Sequence, residues 1–349
     1  MMRVPVLHGT RSMSVEEQPR PEAGPGEVVV QTGLCGICGS DLHLYDSEMA
    51  PPGIVMGHEF GGTIVDVGPG VERWDAGQRV VAGMPEPCGN CWFCRRGERD
   101  LCYQHYRIDM AKAGEVRGAE SMGAGGYGPF TRIAVGRLLA VPEALDDQEA
   151  ACVEPAAVGF HAVQKSGMAL GDSVVVLGAG PIGLFTLQCA IAAGAGRVLV
   201  VEPSARRAQL ARELGAGEVL DPADTDPVQA ANEMFPGGPD VVFDAAGVKS
   251  TLQQSVDIVK PGGHVMMVGV AFEPAPIKPS TWVTRRITVR AAFAYSRRDY
   301  EKTMELMEQE RIVVAPLISS IVGVDDLPAT FERLLKPNDD VKVLVDPAR

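Results

Sequence analysis

The segment DSVVVLGAGPIGLFTLQCAIAAGAGRVLVVE, residues 172–202, decides the fold of this chain. It predicts an apolar strand over 172–178, a helix from Pro181 to about Ala193, and a second apolar strand over 197–202. Strands that are apolar on both faces, with a helix between them, indicate a parallel sheet covered on both sides. Further strand-like runs follow at EVLD, PDVVFDAAG, GGHVMMVGV and RRITVRAAF, so the sequence predicts a doubly wound α/β domain.

A glycine-rich turn lies between the first of these strands and its helix. Gly178 would allow a tight turn, Gly180 a close approach of a pyrophosphate group, and Gly183 close packing of the helix on the strand. The helix opens at Pro181 and Ile182, where unpaired N–H groups and the helix dipole favour an anion. The spacing and its context therefore predict a Rossmann dinucleotide site. The alternative is a glycine turn that serves packing alone.

The second strand of the segment ends at Glu202, 19 residues after Gly183. At this place an acidic side chain can accept hydrogen bonds from ribose hydroxyls and would repel a 2′-phosphate. The sequence therefore favours NAD over NADP as the cofactor. Arg206 and Arg207 lie close enough in the sequence to weaken that preference, and a solvated Glu202 without a ligand is the alternative.

The residues before about 150 follow a different pattern, with short apolar runs at 27–35, 61–68 and 78–83 separated by glycine and proline turns. This pattern predicts a β-rich domain. The segment 103–128 is polar and glycine-rich without periodicity, which is typical of a lid or a pocket wall. The tail predicts a helix over 299–310, then short strands ending in VKVLVDP.

Composition limits the partners and the location that can be expected. The chain has 349 residues and a formal net charge of −13, which argues against nucleic acid or an anionic membrane as a partner. No apolar stretch approaches the roughly 18 residues that span a bilayer, and the beginning of the sequence does not resemble a signal peptide. The sequence therefore predicts a cytoplasmic protein without a membrane partner.

Four of the eight cysteines are concentrated in EPCGNCWFCRRGERDLC, as Cys88, Cys91, Cys94 and Cys102. In a reducing compartment such a cluster indicates metal ligation rather than disulfides. Four thiolates form a closed tetrahedral zinc site, which stabilises a loop and leaves no position for a substrate. An iron–sulfur cluster is the main alternative, although no second cluster motif supports it.

A second group of ligand-type residues is scattered through the sequence. CGICGSDLH contributes Cys38, GHEFGG contributes His58 and Glu59, and ACVEPAAVG contributes Glu154. One cysteine, one histidine and one carboxylate can bind zinc and leave the fourth position open for a substrate. Taken singly, each has an ordinary alternative as a core, hydrogen-bonded or solvated residue. Cys38 could also form a redox pair with Cys35, although Cys35 ends an apolar strand and is interpreted as core.

In this order, the motifs C-G-S-D-L-H, G-H-E, the four cysteines, E-P, G-A-G-P-I-G and D-A-A-G resemble the zinc-containing medium-chain dehydrogenase/reductase family over essentially the whole chain. The resemblance implies a GroES-like β-rich catalytic domain over 1–154, with the structural zinc lobe at 88–102. It also implies a Rossmann domain over 155–292, a segment 293–349 that returns to the catalytic domain, and an active site in the cleft between the domains.

The resemblance assigns roles to the candidate metal residues. Cys38, His58 and Glu154 match the catalytic zinc ligands, with Cys152 as a rival for the third position. Glu59 matches a carboxylate that can exchange onto the metal. Two further positions on the C-G-S-D-L-H motif match a proton relay, and these are Ser40 and His43.

The resemblance further implies two zinc ions, NAD, and a small alcohol or ketone as substrate. Glutamate in the E-P motif is typical of polyol, 2,3-butanediol and threonine dehydrogenases, so a vicinal diol or polyol is expected, with threonine or a cyclic secondary alcohol as alternatives. A zinc hydrolase or lyase, or a binding protein on the same scaffold, is a more distant possibility.

A homodimer or homotetramer is expected. The cofactor contacts implied besides the glycine turn are Glu202, Arg207, Ala246, Val268, Gly269 and Phe293. The candidate pocket walls are Tyr45, Trp282 and Phe293, with a place in the core as the more common alternative for each.

Overall fold

The computed structural model describes residues 1–49, 52–83, 87–102, 107–108, 116–117, 125–293 and 295–349, without the side chains of 100, 107–108 and 116–117. These residues divide into two compact units. The first unit comprises Met1–Glu154, Ser296–Met304 and Ile318–Arg349, and the second comprises Pro155–Tyr295 and Glu305–Leu317. The tail after residue 293 is therefore shared between the two units.

Strands and helices alternate differently in the two parts of the chain. The strands of the described residues are β1 Met2–Gly9, β2 Ser12–Gln18, β3 Glu27–Gly36, β4 Glu59–Val67, β5 Arg79–Ala82, β6 Arg107–Ile108, β7 Val116–Arg117, β8 Phe130–Ala134, β9 Leu138–Ala140, β10 Ser173–Leu177, β11 Arg197–Val201, β12 Glu218–Leu220, β13 Val241–Asp244, β14 His264–Met267, β15 Thr288–Ala291, β16 Ile318–Gly323 and β17 Lys342–Asp346. The α-helices are α1 Gly39–Tyr45, α2 Trp92–Arg95, α3 Asp147–Ser166, α4 Pro181–Ala192, α5 Ala205–Glu213, α6 Pro227–Met234, α7 Thr251–Ile258, α8 Pro279–Arg285, α9 Arg297–Glu308 and α10 Leu327–Leu334.

The second unit is built on a six-stranded parallel sheet in the order β12-β11-β10-β13-β14-β15. Its central strands β10 and β13 consist mainly of valine and other apolar residues that are buried on both faces, as the sequence predicts. The strand order reverses between β10 and β13, and this switch point is where open α/β sheets bind their ligands. The predicted Rossmann fold is therefore confirmed.

The first unit is built on a seven-stranded sheet in the order β16-β17-β3-β4-β5-β9, with β8 paired to β3. The β1–β2 hairpin forms a separate ladder. Alternating side chains of β3 and β4 join the core of this unit, which also includes Leu44, Tyr127 and Phe331. The C-terminal strand β17 lies beside β3, so the end of the chain contacts the segment that leads to Cys38.

No helix among the described residues is both long and apolar enough to cross a bilayer.

Candidate metal centre and cofactor site

Cys38 lies at the junction of strand β3 and helix α1. It is the N-cap residue of α1, with an extended backbone (φ −97°, ψ 153°). The carboxylate of Asp41, three residues into the helix, accepts a hydrogen bond from the Cys38 N–H at 3.0 Å. An acidic side chain at this place closes the first turn of a helix by satisfying an orphan N–H group. Asp41 therefore fixes the backbone that carries the Cys38 thiol.

Glu59 is the first residue of strand β4, the partner of β3, and His58 directly precedes it. One ligand atom from each of Cys38, His58 and Glu59 lies within 4.8 Å of the others. A thiol, an imidazole and a carboxylate at this spacing fit a zinc ion with an open coordination position. Glu154, the expected third ligand, does not belong to this group, and its role stays a prediction.

Asp41 also faces the ring of His58. Its Oδ1 atom lies 3.4 Å from His58 Nδ1, and neither atom has a hydrogen-bond partner elsewhere in the described residues. A carboxylate on one ring nitrogen orients the other nitrogen, here Nε2, toward a metal. Burial would raise the pKa of Asp41. The charge interaction with His58 and the hydrogen bonds from His58, Tyr127 and the Cys38 N–H outweigh burial and hold the pKa below its ordinary value. Asp41 therefore remains an ionised acceptor.

A buried ion pair holds the third member of the cluster. The ammonium of Lys342, on β17, contacts Glu59 Oε2 and donates a hydrogen bond to the Ile37 carbonyl at 2.9 Å. Burial would lower the pKa of Lys342, but the negative charges of Glu59 and Cys38 raise it above its ordinary value. Glu59 is thus paired with a permanent cation beside the candidate metal ligands.

Cys152, the rival third ligand, is fully buried on helix α3. Burial raises the pKa of its thiol to about 12, so the proton is held firmly. Cys152 and Glu154 are two positions apart on this helix, and side chains at that spacing do not face each other. The two residues are therefore alternatives, not joint ligands.

The four remaining candidate ligands gather in a separate lobe. One sulfur atom from each of Cys88, Cys91, Cys94 and Cys102 lies within 4.8 Å of the others, and no histidine or carboxylate among the described residues belongs to this group. The short helix α2 separates Cys91 from the last turn of the lobe, and the Cys88 N–H donates to the Cys102 sulfur at 3.3 Å. All eight cysteines are free thiols. Four thiols in this arrangement fit a closed structural zinc site.

The glycine turn of the second unit has the geometry of a dinucleotide cradle. Gly178 has a positive φ of 91°, which few other residues adopt. A Cβ atom on Gly183 would lie 1.9 Å from the Gly178 carbonyl oxygen, so only glycine allows this packing of α4 against β10. Gly180 is the N-cap of α4 and Pro181, which has no N–H group, is its first residue, so the first-turn N–H groups that can face an anion are those of Ile182 and Gly183.

Glu202 follows β11 and is almost fully buried. Its two oxygens accept hydrogen bonds from the Ala179 N–H at 2.6 Å and the Ser204 N–H at 2.9 Å. The carboxylate therefore joins the glycine turn to the start of helix α5. Arg207, in the first turn of α5, is half-buried.

The other predicted cofactor positions lie on neighbouring turns. The turn after β13 packs on the glycine turn, since a Cβ atom on Gly178 would be 3.0 Å from Ala246 Cα. The N–H groups of Val268 and Gly269 both donate to the Asp244 carbonyl, at 2.9 and 2.8 Å. These turns lie at the carboxyl ends of β10, β13 and β14, beside the switch point. Phe293 is 59% exposed.

Two ranges of the chain match models of known protein families. Residues 24–143 match the alcohol dehydrogenase GroES-like domain, and residues 181–309 match the zinc-binding dehydrogenase family. The (R,R)-butanediol dehydrogenase of Bacillus subtilis is 33% identical, with 99% of this chain and 100% of that protein covered. The chain belongs to the zinc-containing alcohol dehydrogenase family. It is an alcohol oxidoreductase that uses zinc and a nicotinamide cofactor.

Other members of the zinc-containing alcohol dehydrogenase family are similar over the same length. A sorbitol dehydrogenase of Halalkalibacterium halodurans is 29% identical, with 99% of this chain and 98% of that protein covered. A zinc-binding dehydrogenase of Sinorhizobium meliloti, solved with NADP bound, has a TM-score of 0.88 and 32% identity, with 99% of each chain covered. These findings confirm the predicted family and the GroES-like assignment of the β-rich part.

The remaining residues predicted for the site lie on helix α1, in the cores of the two units, or outside the described residues. Ser40 and His43 lie three positions apart on α1, both half-buried. Tyr45 is a core residue and not a pocket wall, because its ring packs on Phe331 and its hydroxyl donates to Glu332 at 3.0 Å. Trp282 packs against the core of the second unit. Most of the segment 103–128, expected as a lid or a pocket wall, lies outside the described residues.

Sequence reasoning missed three residues of the metal centre: Asp41, Tyr127 and Lys342. Asp41 carries a local signal, because an acidic residue three positions after Cys38 is a helix-capping pattern. Lys342 and Tyr127 carry none, since their contacts join distant parts of the chain.

Proposed function

We propose that this dehydrogenase transfers a hydride between NAD(H) and a secondary alcohol or ketone, with a vicinal diol or a polyol as the physiological substrate. The donor cluster of Cys38, His58 and Glu59 carries the proposal, because it brings together three ligand types that can bind zinc and leave its fourth coordination position for a substrate. The names of the butanediol and sorbitol dehydrogenases support the substrate class.

Zinc bound at this cluster would polarise the alcohol hydroxyl as a Lewis acid, and the nicotinamide would accept the hydride. The chain holds the ligands in place through Asp41, which supports both Cys38 and His58. Glu154 is proposed as the third ligand, and Glu59 as a carboxylate that can replace it. A Glu154→Ala variant that loses about one zinc per chain, while Cys152→Ala keeps its zinc, would support this assignment. The opposite pattern would assign the position to Cys152.

Ser40 and His43 are proposed to carry the proton that the alcohol loses. Residues three apart on a helix lie on the same face, so both side chains can serve one path from the Cys38 end of α1. Loss of a proton relay lowers turnover by about 10²–10⁴-fold. Ser40→Ala is expected to fall in this range with an unchanged zinc content, and a variant with full turnover would exclude Ser40 from the relay.

NAD is proposed as the preferred cofactor because Glu202 occupies the end of β11. A carboxylate at this place accepts from the ribose hydroxyls and repels a 2′-phosphate. The Sinorhizobium meliloti neighbour binds NADP, so the preference has to be measured on this chain. Comparable kcat/KM values for NAD and NADP would contradict the proposal.

A matched set of alcohols tests the substrate class. Reduction of NAD is followed by NADH absorbance with the stereoisomers of 2,3-butanediol, with 2-butanol and 1-butanol as controls, and with sorbitol, threonine and cyclohexanol. The proposal expects the diol or the polyol to exceed 2-butanol in kcat/KM, and 1-butanol to be poorest. A preference for threonine or cyclohexanol would support the corresponding alternative substrate. Turnover without a nicotinamide cofactor would contradict the reaction itself.

A homo-oligomer is also proposed. Strand β15 pairs only with β14 among the described strands, so it is an edge of the six-stranded sheet. Exposed apolar side chains occur on the neighbouring segments, with Val270, Phe272 and Val283 at 57%, 59% and 75% exposure. Such an edge and such side chains favour burial against a second copy. Light scattering on the purified chain is expected to give the mass of a dimer or a tetramer, and a monomer would refute this.

A cytoplasmic location is proposed as well, because the four thiols of the Cys88–Cys102 lobe bind metal only while they stay reduced.

A further inference from the structure

The hydroxyl of Tyr127 is one of the most deeply buried polar groups of the first unit. The side chain has 0% exposure, and its hydroxyl donates to Asp41 Oδ2 at 2.7 Å. Burial and the charge of Asp41 raise the pKa of Tyr127 well above its ordinary value, so the hydroxyl keeps its proton and remains a donor. The partner of this donor is the carboxylate that supports two candidate zinc ligands.

The backbone of the same segment is attached to the other side of the metal centre. The N–H groups of Gly126 and Tyr127 donate to the carbonyls of Gly57 and Met56, at 2.9 and 3.1 Å. Those two residues directly precede His58 in the chain. Gly57 has a positive φ of 97°, and a Cβ atom there would lie 2.7 Å from the Tyr127 nitrogen. The segment around Tyr127 therefore fits against this stretch with no room for a side chain.

Tyr127 thus has two attachments that converge on one ligand. Its backbone holds the chain that leads into His58, and its hydroxyl holds the carboxylate that faces the His58 ring. Asp41 Oδ2 accepts from both Tyr127 and the Cys38 N–H, which leaves Oδ1 directed at His58 Nδ1. Without the hydroxyl, the carboxylate could rotate and weaken its hold on the ring.

We infer that Tyr127 is a positioning residue of the metal centre, which acts through Asp41 to fix the His58 imidazole for zinc. The inference rests on the proposed zinc site at Cys38 and His58. Groups that orient metal ligands typically alter metal affinity about 10–100-fold when they are removed. Tyr127 contacts Asp41 and not the zinc ligand itself, so a change in zinc affinity at the lower end of this range, about tenfold, is expected.

Tyr127→Phe removes the hydroxyl and retains the ring. Tyr300→Phe is a matched control, because Tyr300 is also buried in the first unit and its hydroxyl donates to the Ala82 carbonyl at 3.2 Å. Zinc transfer from the purified holoenzyme to a colorimetric chelator is followed over time. One of two zinc ions should leave about tenfold faster from Tyr127→Phe, with the other ion and the Tyr300→Phe protein unchanged.

Asp41→Asn provides the reference for the mechanism. It should accelerate release of the same ion, and adding Tyr127→Phe to it should change the rate little, since the hydroxyl acts through the carboxylate. Unchanged release from Tyr127→Phe, or equal acceleration of both ions, would overturn the positioning role while leaving the proposed function intact. If the unaltered enzyme releases only one zinc ion, the proposed zinc site at Cys38 and His58 is refuted, and the inference fails with it.

Discussion

Replacing Lys342 by methionine tests how the metal centre is held together. The side chains of Lys342 and Glu59 are each 1% exposed, and the Lys342 ammonium also donates to the Ile37 carbonyl. Removing one member of a buried ion pair leaves the other charge without compensation and costs about 3–5 kcal/mol. Lys342→Met is therefore expected to lower the free energy of unfolding by about this amount, although methionine fills much of the same volume.

Urea unfolding, followed by circular dichroism at fixed zinc concentration, measures the effect. Lys260→Met is the control, because its pair with Asp240 is partly exposed, at 44% for the lysine, and should contribute about 1 kcal/mol or less. The double variant Lys342→Met with Glu59→Gln should recover much of the loss, since no buried charge remains. Equal small losses in both lysine variants, or no recovery in the double variant, would refute the reasoning.

Three further predictions concern the remaining parts of the molecule. Burial would raise the pKa of Asp240, but hydrogen bonds from Lys260 and Ser173 lower it to about 2, so the stabilisation is present above about pH 4 and is lost as the pH falls toward 2. Asp240→Asn should thus cost about 1 kcal/mol at pH 7, with a difference from the unaltered protein that shrinks below pH 4; a constant difference would contradict this. Glu202→Gln removes the charge and keeps one of the two acceptor oxygens, so kcat/KM for NADP should rise relative to NAD, and an unchanged ratio would exclude Glu202 as the selector. Cys94→Ser should lower the thermal midpoint before it lowers turnover, whereas a stable variant without activity would contradict a structural lobe.

The cofactor cradle could be predicted from the sequence because its determinants are local. Gly178, Gly180 and Gly183 act within a single strand–turn–helix unit, so their spacing carries the geometry. The position of Glu202 could also be predicted from the sequence, because it follows the end of a strand and therefore lies at the edge of the sheet. Its hydrogen bonds to the Ala179 and Ser204 N–H groups were not predicted, since they depend on how two turns pack together.

The metal centre was only partly predictable. Short motifs predicted Cys38 and His58 as zinc ligands, but the groups that support them come from distant segments: Lys342 donates to the Ile37 carbonyl 305 positions away, and Tyr127 to Asp41 86 positions away. No periodicity in the sequence marks such contacts, because each depends on which strands become neighbours. For Tyr45, the choice between a core position and a pocket wall also depended on distant contacts, because its ring packs on Phe331.

Zinc content measured together with NAD-linked turnover in Cys38→Ala tests the central claim most directly. The unaltered enzyme should contain about two zinc ions per chain and oxidise a secondary alcohol. Cys38→Ala should retain about one zinc ion and its secondary structure, with turnover lost. A variant that keeps both zinc ions, or that loses one and still oxidises the alcohol at the original rate, would contradict the account.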